Sequence, residues 1–134
     1  MQAKQVGGKL SLDGRGRAGM LENPRFIQGV FSFEGRGLER AEPLRPEIVY
    51  QAPRDRRVQL IYFRGGNAAS ELVYLVLRQN ERPLRYFPIG ARSAVHVPLA
   101  IVEDVAPQSR IDLLIGAPEG LRGTVVIDMG LVEI

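Results

Sequence analysis

Glycine and proline divide this chain into short segments in which apolar and polar residues alternate. The 134 residues contain fifteen glycines and nine prolines. Between these residues, apolar side chains recur at every second position, which is typical of a half-buried strand. For example, Val95, Val97 and Leu99 would lie on one face of a strand and His96 on the other. Such segments follow one another at intervals of roughly 8–15 residues, which favours an all-β fold. The sequence therefore predicts an antiparallel β-sandwich or a jelly-roll-like barrel of about eight strands.

The expected strands differ in how much of their surface is apolar. Residues 71–79 are apolar on both faces, as in a covered strand, and Gly130 within the last strand indicates a β-bulge or a close backbone approach. We expect a charged loop at residues 35–46 and a strand end at residues 65–67. A single helical turn fits at residues 100–105. The expected strands are residues 26–34, 47–51, 57–64, 71–79, 84–89, 94–99, 110–115 and 123–134.

The chain is long enough for one compact domain and too short for two. Residues 1–25 are rich in glycine and basic residues and contain few large apolar side chains, so we expect a flexible or extended N-terminal arm. Residues 26–134 form the predicted sandwich domain. The arm residues expected to contact a partner are Lys4, Lys9, Arg15 and Arg17.

Composition excludes several classes of protein. With no cysteine and one histidine, the chain has no disulfide scaffold and no set of thiolate or imidazole ligands. No apolar run approaches the roughly 18 residues of a membrane-spanning helix, and the N-terminus lacks the apolar stretch of a secretory signal. We therefore expect no metal, no cofactor and no membrane span, and a cytoplasmic location.

The single histidine offers the one imidazole-based route to catalysis. His96 would act as a general base for Ser93, oriented by Glu103 or Asp104. However, Ser93 lies on the opposite pleat of the same expected strand, and sequence proximity does not supply the geometry of a catalytic triad. The glycines of residues 14–19 match a dinucleotide-binding motif in spacing only, because no βαβ unit surrounds them. The sequence thus predicts no catalytic residue and a protein that is not an enzyme.

Arginines alternate with aromatic residues in two of the expected strands. Single-strand nucleic-acid binders use this combination, because cations follow the phosphates and aromatic rings stack on the bases. The same residues also suit a fold in which tyrosines lie at the edge of the core and arginines flank the strands. The face expected to bind nucleic acid or a protein partner comprises Arg56, Arg57, Tyr62, Arg64, Arg85 and Tyr86.

The distribution of charge favours assembly. Residues 1–64 carry twelve basic and seven acidic side chains, whereas residues 65–134 carry six and eight. Basic and acidic surfaces complement one another between neighbouring subunits, and an extended arm can add a strand to another copy. We therefore expect a structural or interaction subunit that forms a homo-oligomer or docks onto a larger protein complex. The alternatives are a nucleic-acid-binding barrel and a small-ligand or carbohydrate-binding module.

Overall fold

The described part of this chain contains ten β-strands. The computed structural model describes residues 3–5, 22–99 and 104–134. No helix occurs among these residues, and hence none that is long and apolar enough to cross a membrane. The strands are β1 (Ala3–Gln5), β2 (Asn23–Glu34), β3 (Gly37–Gln51), β4 (Val58–Asn67), β5 (Val73–Gln79), β6 (Arg82–Ile89), β7 (Ser93–Pro98), β8 (Asp104–Val105), β9 (Arg110–Ala117) and β10 (Arg122–Glu133).

The strands form two antiparallel sheets packed face to face. The first sheet has the order β1-β2-β10-β4-β7, with β8 paired to the beginning of β4, and the second has the order β3-β9-β5-β6. The sheets do not close into a barrel. The predicted all-β class is confirmed, and of the two architectures left open the sandwich is the observed one.

The core lies between the inner faces of the two sheets. Phe31 and Phe63 of the first sheet and Leu75 and Leu113 of the second are at most 1% exposed. Phe63 stacks on Phe87 across the sandwich, with ring centroids 4.0 Å apart and the rings nearly parallel. Aromatic contacts of this kind stabilise a packed pair beyond the area they bury. The core therefore joins the two sheets directly.

A β-bulge in β4 changes which side chains face the core. Leu60 pairs with Leu131 and Tyr62 with Gly130, so Ile61 is an extra residue in β4. Strict alternation would place Tyr62 on the same face as Leu60, but one inserted residue reverses the alternation beyond it. Tyr62 therefore lies on the outer face. The sequence indicated a β-bulge or a close approach at Gly130; the bulged residue lies opposite it in β4, and the Tyr62 ring approaches Gly130 closely.

The charged segment at residues 35–46 is largely strand, not loop. Residues 37–46 belong to β3. The pairing of β3 with β9 shifts register twice, and one of the shifts lies between Pro43 and Ile48. Proline cannot donate to a ladder and is tolerated at sheet edges and bulges. Because β3 is an edge strand, Pro43 and Pro46 fit there, and the predicted loop was wrong for this reason.

The strand expected at residues 57–64 does not stop before the glycines, because β4 continues through them and ends at Asn67. Gly65 faces the core, where a Cβ atom would lie 2.7 Å from the Ile89 side chain. The glycine thus serves close packing rather than a turn. A tight turn joins β5 to β6, with positive φ angles at Asn80 and Glu81.

Parts of the N-terminal arm and of the expected helical turn lie outside the described residues. Within the arm, β1 pairs antiparallel with β2, with Lys4 opposite Phe26, and β2 begins at Asn23. Residues 100–103 of the expected helical turn are not described, and Asp104 and Val105 form β8. The division of the chain at residue 25 stays a prediction.

Candidate functional site

The outer face of the first sheet carries a row of small and apolar residues across four strands. Strand register places Val126 between Val30 and Gly66, and Gly66 opposite Ala94. Val30 is 68% exposed and Val126 is 50% exposed. Side chains alternate between the two faces of a sheet, and residues directly opposite one another lie on the same face. All four positions are therefore on the outer face, away from the core. We call Val30, Val126, Gly66 and Ala94 the apolar row.

A polar row borders the apolar row on the same face. Asp128 is opposite both Gln28 and Arg64, and Arg64 is opposite His96. The Gln28 amide donates to Asp128 Oδ1 at 3.2 Å, whereas Arg64 Nη1 is 3.9 Å from Asp128 Oδ2. The Arg64 side chain is 56% exposed. At this distance and exposure the ion pair is weak, so the guanidinium is available to another anion.

Tyr62 supports the polar row from the other side. Its hydroxyl donates to Asp128 Oδ1 at 2.9 Å, and its ring makes an edge contact with His96 at 5.9 Å between centroids. Burial raises the pKa of Tyr62, and the hydrogen bond to Asp128 raises it further. Because Asp128 already accepts hydrogen bonds from Tyr62 and Gln28, its charge is largely satisfied within the protein.

The Tyr62 ring is in contact with Gly130 and with Arg64. It lies against Gly130, where a Cβ atom would be 2.3 Å from a ring carbon. The Arg64 guanidinium carbon lies over the ring, 5.1 Å from its centroid. Such cation–π contacts hold an arginine in place without neutralising it. Tyr62 therefore orients Arg64, and its ring is not an open stacking surface.

Three residues of the apolar row, Val126, Gly66 and Ala94, form the floor of an open trough. Two adjoining depressions of about 550 and 540 Å³ share Gly66, Ala94 and Val126. Arg64 lines the first depression, and Arg92 lines the second. We call this feature the trough; its further lining residues are Gly65, Asn67, Ala68, Ser93, Val95, His96 and Asp128.

Asn67 fixes one end of the trough. It is 3% exposed, and its amide nitrogen lies within 3.1 Å of the backbone oxygens of Glu71, Ile89 and Gly90. Its side-chain oxygen accepts the backbone N–H of Ala69 at 2.9 Å. One buried amide thus ties the end of β4 to the connection that carries Arg92.

The six residues predicted to form a binding face do not share one surface. Tyr62 and Arg64 lie together at the trough, whereas Arg85 and Tyr86 belong to β6 in the second sheet. Tyr86 is 60% exposed and contacts Tyr74 on the outer side of that sheet. The predicted face is therefore divided between the two sheets.

Arg56 and Arg57 lie where the chain enters β4, away from Arg64. Arg57 forms an ion pair with Asp104 at 2.9 Å, and Arg56 contacts the backbone oxygen of Glu133 at 3.4 Å. Among the predicted arm residues, Lys4 lies in β1, and Lys9, Arg15 and Arg17 lie outside the described residues.

The candidate catalytic side chains have separate hydrogen-bond partners. The Ser93 hydroxyl donates to the backbone oxygen of Ala91 at 3.0 Å, and Asp104 is held by Arg57. His96 is exposed and contacts Tyr62. A nucleophile–base hydrogen bond is the arrangement that would activate Ser93, and these contacts do not provide it.

Sequence reasoning missed most of the trough. Val30 and Val126 carried a weak signal, because each is an apolar residue on the polar side of an alternating strand. Gly66, Ala94, Arg92 and Gln28 gave no signal of their own, since only strand register brings them together. No known protein family has a model that matches this chain, and a search of curated proteins found no significant match.

Proposed function

We propose that this chain is a non-enzymatic docking module, a β-sandwich subunit that binds an acidic, extended segment of a partner protein in the trough. The observation that carries this proposal is a floor almost without side-chain bulk, Gly66 and Ala94 beside Val126, between the exposed residues Arg64 and Arg92. The protein would thus act in protein–protein interaction, with a partner defined by the acidic, extended segment that it presents.

The floor favours a peptide backbone as the bound group. Gly66 has open space above it, because a Cβ atom there would have Val126 Cβ, 3.9 Å away, as its nearest neighbour. Low side chains let an extended segment lie close to the sheet, and Val126 offers an apolar contact for one of its side chains. An alternating segment would place every second side chain on this floor.

The charges favour carboxylates beside that backbone. Arg64 and Arg92 are both exposed, and the neighbouring Asp128 accepts hydrogen bonds from Tyr62 and Gln28. Arginine binds carboxylates in a bidentate manner, which gives orientation as well as affinity. Acidic side chains on either side of the floor would meet one guanidinium each.

Single-stranded nucleic acid fits this surface less well. Base stacking needs an open aromatic face, whereas the Tyr62 ring already contacts Gly130, Arg64 and His96. The exposed Tyr86 belongs to the other sheet. The arginines would still attract phosphates, so nucleic acid is a competitor to include in the test.

Fluorescence anisotropy with short labelled peptides tests the proposal. A peptide that alternates glutamate with valine should bind, and one that alternates lysine with valine should not. Arg64→Ala should weaken binding of the acidic peptide about tenfold, the scale of one charge-assisted contact. Ala94→Glu should abolish binding, because it fills the floor and adds a like charge.

Arg82→Ala is the matched control, because Arg82 is an exposed arginine on the second sheet and the substitution removes the same charge. Its affinity for the acidic peptide should equal that of the parent protein. Equal binding of the two peptides, equal losses in the Arg64 and Arg82 variants, or tighter binding of an oligonucleotide than of the acidic peptide would refute the proposal.

A further inference from the structure

Among the described residues, one edge of the first sheet has no strand partner along most of its length. The β1 strand covers β2 at residues 25–27 only, and no described residue pairs with the same edge of β2 at residues 28–34. An open strand edge presents unpaired N–H and C=O groups, which are a template for another strand. This open segment of seven residues is called the free edge.

The other edges carry features that discourage pairing. Proline interrupts β3 at Pro43 and Pro46 and β6 at Pro83 and Pro88, and β7 ends at Pro98. Proline on edge strands is a common protection against edge-to-edge association. The free edge contains neither proline nor lysine, and β2 pairs with β10 in unbroken register over all its residues. The free edge therefore differs from the rest of the perimeter.

The sequence of the free edge is complementary to itself. A two-fold axis at Phe31 would place residues 28–34 of two copies antiparallel, with Gln28 opposite Glu34 and Val30 opposite Ser32. Gln28 uses one amide N–H for Asp128, which leaves its second N–H for the carboxylate of the other copy. No pair of like charges would face each other across the axis.

Val30 gives a second reason to expect a neighbour. At 68% it is the most exposed large apolar side chain in the described part of the chain. Across the same axis each Val30 side chain would lie opposite Ser32 of the other copy on the outer face, with the two Val30 side chains as diagonal neighbours. Pairing would thus cover an apolar residue as well as the backbone.

We propose that a second copy of this chain pairs with the free edge, so that the two first sheets become one continuous antiparallel sheet. About six to eight main-chain hydrogen bonds would form over seven residues from each copy. This inference goes beyond the docking function, because it uses the edge of β2 whereas the trough lies over β10, β4 and β7.

Sedimentation velocity on the full chain between about 5 and 500 µM tests the pairing. The parent protein should approach twice its chain mass of 14.9 kDa as concentration rises. Val30→Lys should remain a monomer, because two lysines would face each other diagonally across the axis. Ser32→Lys is the second variant and should have the same effect.

Val126→Lys is the matched control, because Val126 is exposed on the same face but lies on an interior strand. It should dimerise like the parent, and Val30→Lys should keep the acidic peptide, because Val30 does not line the trough. A monomeric parent protein, a dimeric Val30→Lys variant, or equal loss of dimer in the Val126 variant would overturn the proposal.

Among residues 28–34, amide hydrogen exchange at those N–H groups that point away from β10 provides a readout that needs no variant, because the remaining N–H groups are bonded to β10 already. Protection that increases with protein concentration supports pairing between copies. Protection that is independent of concentration would assign the edge to another part of the same chain and overturn the proposal.

Discussion

Replacing Asn67 with aspartate changes the chemistry of one buried side chain while preserving its shape. The Asn67 amide nitrogen faces three backbone oxygens, those of Glu71, Ile89 and Gly90, at 2.9–3.1 Å. Asn67→Asp replaces this donor with an oxygen that carries negative charge. The introduced carboxylate would face three acceptors in a site that is 3% exposed in the native protein, so we expect a large loss of stability.

Two terms contribute to that loss. Hydrogen bonds that a buried amide can no longer make cost roughly 1–3 kcal/mol, and this loss does not depend on pH. Burial and the carbonyl oxygens also raise the pKa of the introduced carboxyl. Each unit by which the folded pKa exceeds the unfolded pKa lowers the stability at neutral pH by about 1.4 kcal/mol. Together we expect a loss of about 4 kcal/mol near pH 7, similar to that of other unpaired buried charges.

The second term has a pH dependence of known sign. A carboxyl whose pKa is raised by folding destabilises the protein at pH values above its unfolded pKa and ceases to do so when the unfolded state is also protonated. The loss for Asn67→Asp should therefore decrease to about 2 kcal/mol near pH 4. Asn67→Ala removes the same hydrogen bonds without adding a charge, and its loss should be the same at both pH values.

Urea unfolding of the parent protein and both variants, near pH 7 and near pH 4, measures these differences. The Asn67→Asp variant should be less stable than Asn67→Ala near neutral pH, and the difference should disappear in acid. A difference that persists near pH 4, or is absent near pH 7, would show that the side chain does not face the three carbonyl oxygens.

Two further substitutions test contacts elsewhere in the sandwich. Burial, and to a lesser extent the hydrogen bond to Glu133, raises the pKa of Tyr50 above its usual value. Because the unfolded chain loses this proton first, the parent protein should lose stability above about pH 10. In urea unfolding, the stability of Tyr50→Phe should therefore rise by about 1.4 kcal/mol relative to that of the parent between pH 9 and pH 11. In the same assay, Gly116→Ala should lower the free energy of unfolding by about 2 kcal/mol, because the added Cβ atom would lie 2.2 Å from the Tyr74 ring. Gly66→Ala is the control: its Cβ atom would enter open space, so stability should change by less than about 0.5 kcal/mol.

Alternation of apolar residues was sufficient to predict the fold class because most strands here have one buried and one exposed face. In β7, for example, Leu99 follows Val95 and Val97 on the core side while His96 is exposed, as predicted. The same reasoning failed in β3, where charged residues and two prolines indicated a loop. Only the position of β3 at the edge of its sheet makes that sequence compatible with a strand, and sequence patterns do not reveal edge positions.

The candidate site was harder to predict than the fold because it depends on pairing between distant strands. Tyr62 and Arg64 were identified from their own strand, but Val126 and Ala94 become their neighbours only through the register of β10 and β7. Each of these residues is unremarkable within its own segment. A site composed of small residues in register has no local motif, so its recognition requires the assembled sheet.

The bulge in β4 links the core to the candidate site. Strict alternation from Leu60 would direct Phe63 outward and Arg64 into the core. The extra residue Ile61 reverses this, so that Phe63 stacks on Phe87 inside the sandwich and Arg64 lies exposed beside the trough. Gly130 accommodates the Tyr62 ring directly opposite the bulge. Bulges often redirect side chains at functional sites, and here one inserted residue both completes the core and supplies the exposed arginine on which the proposed docking depends.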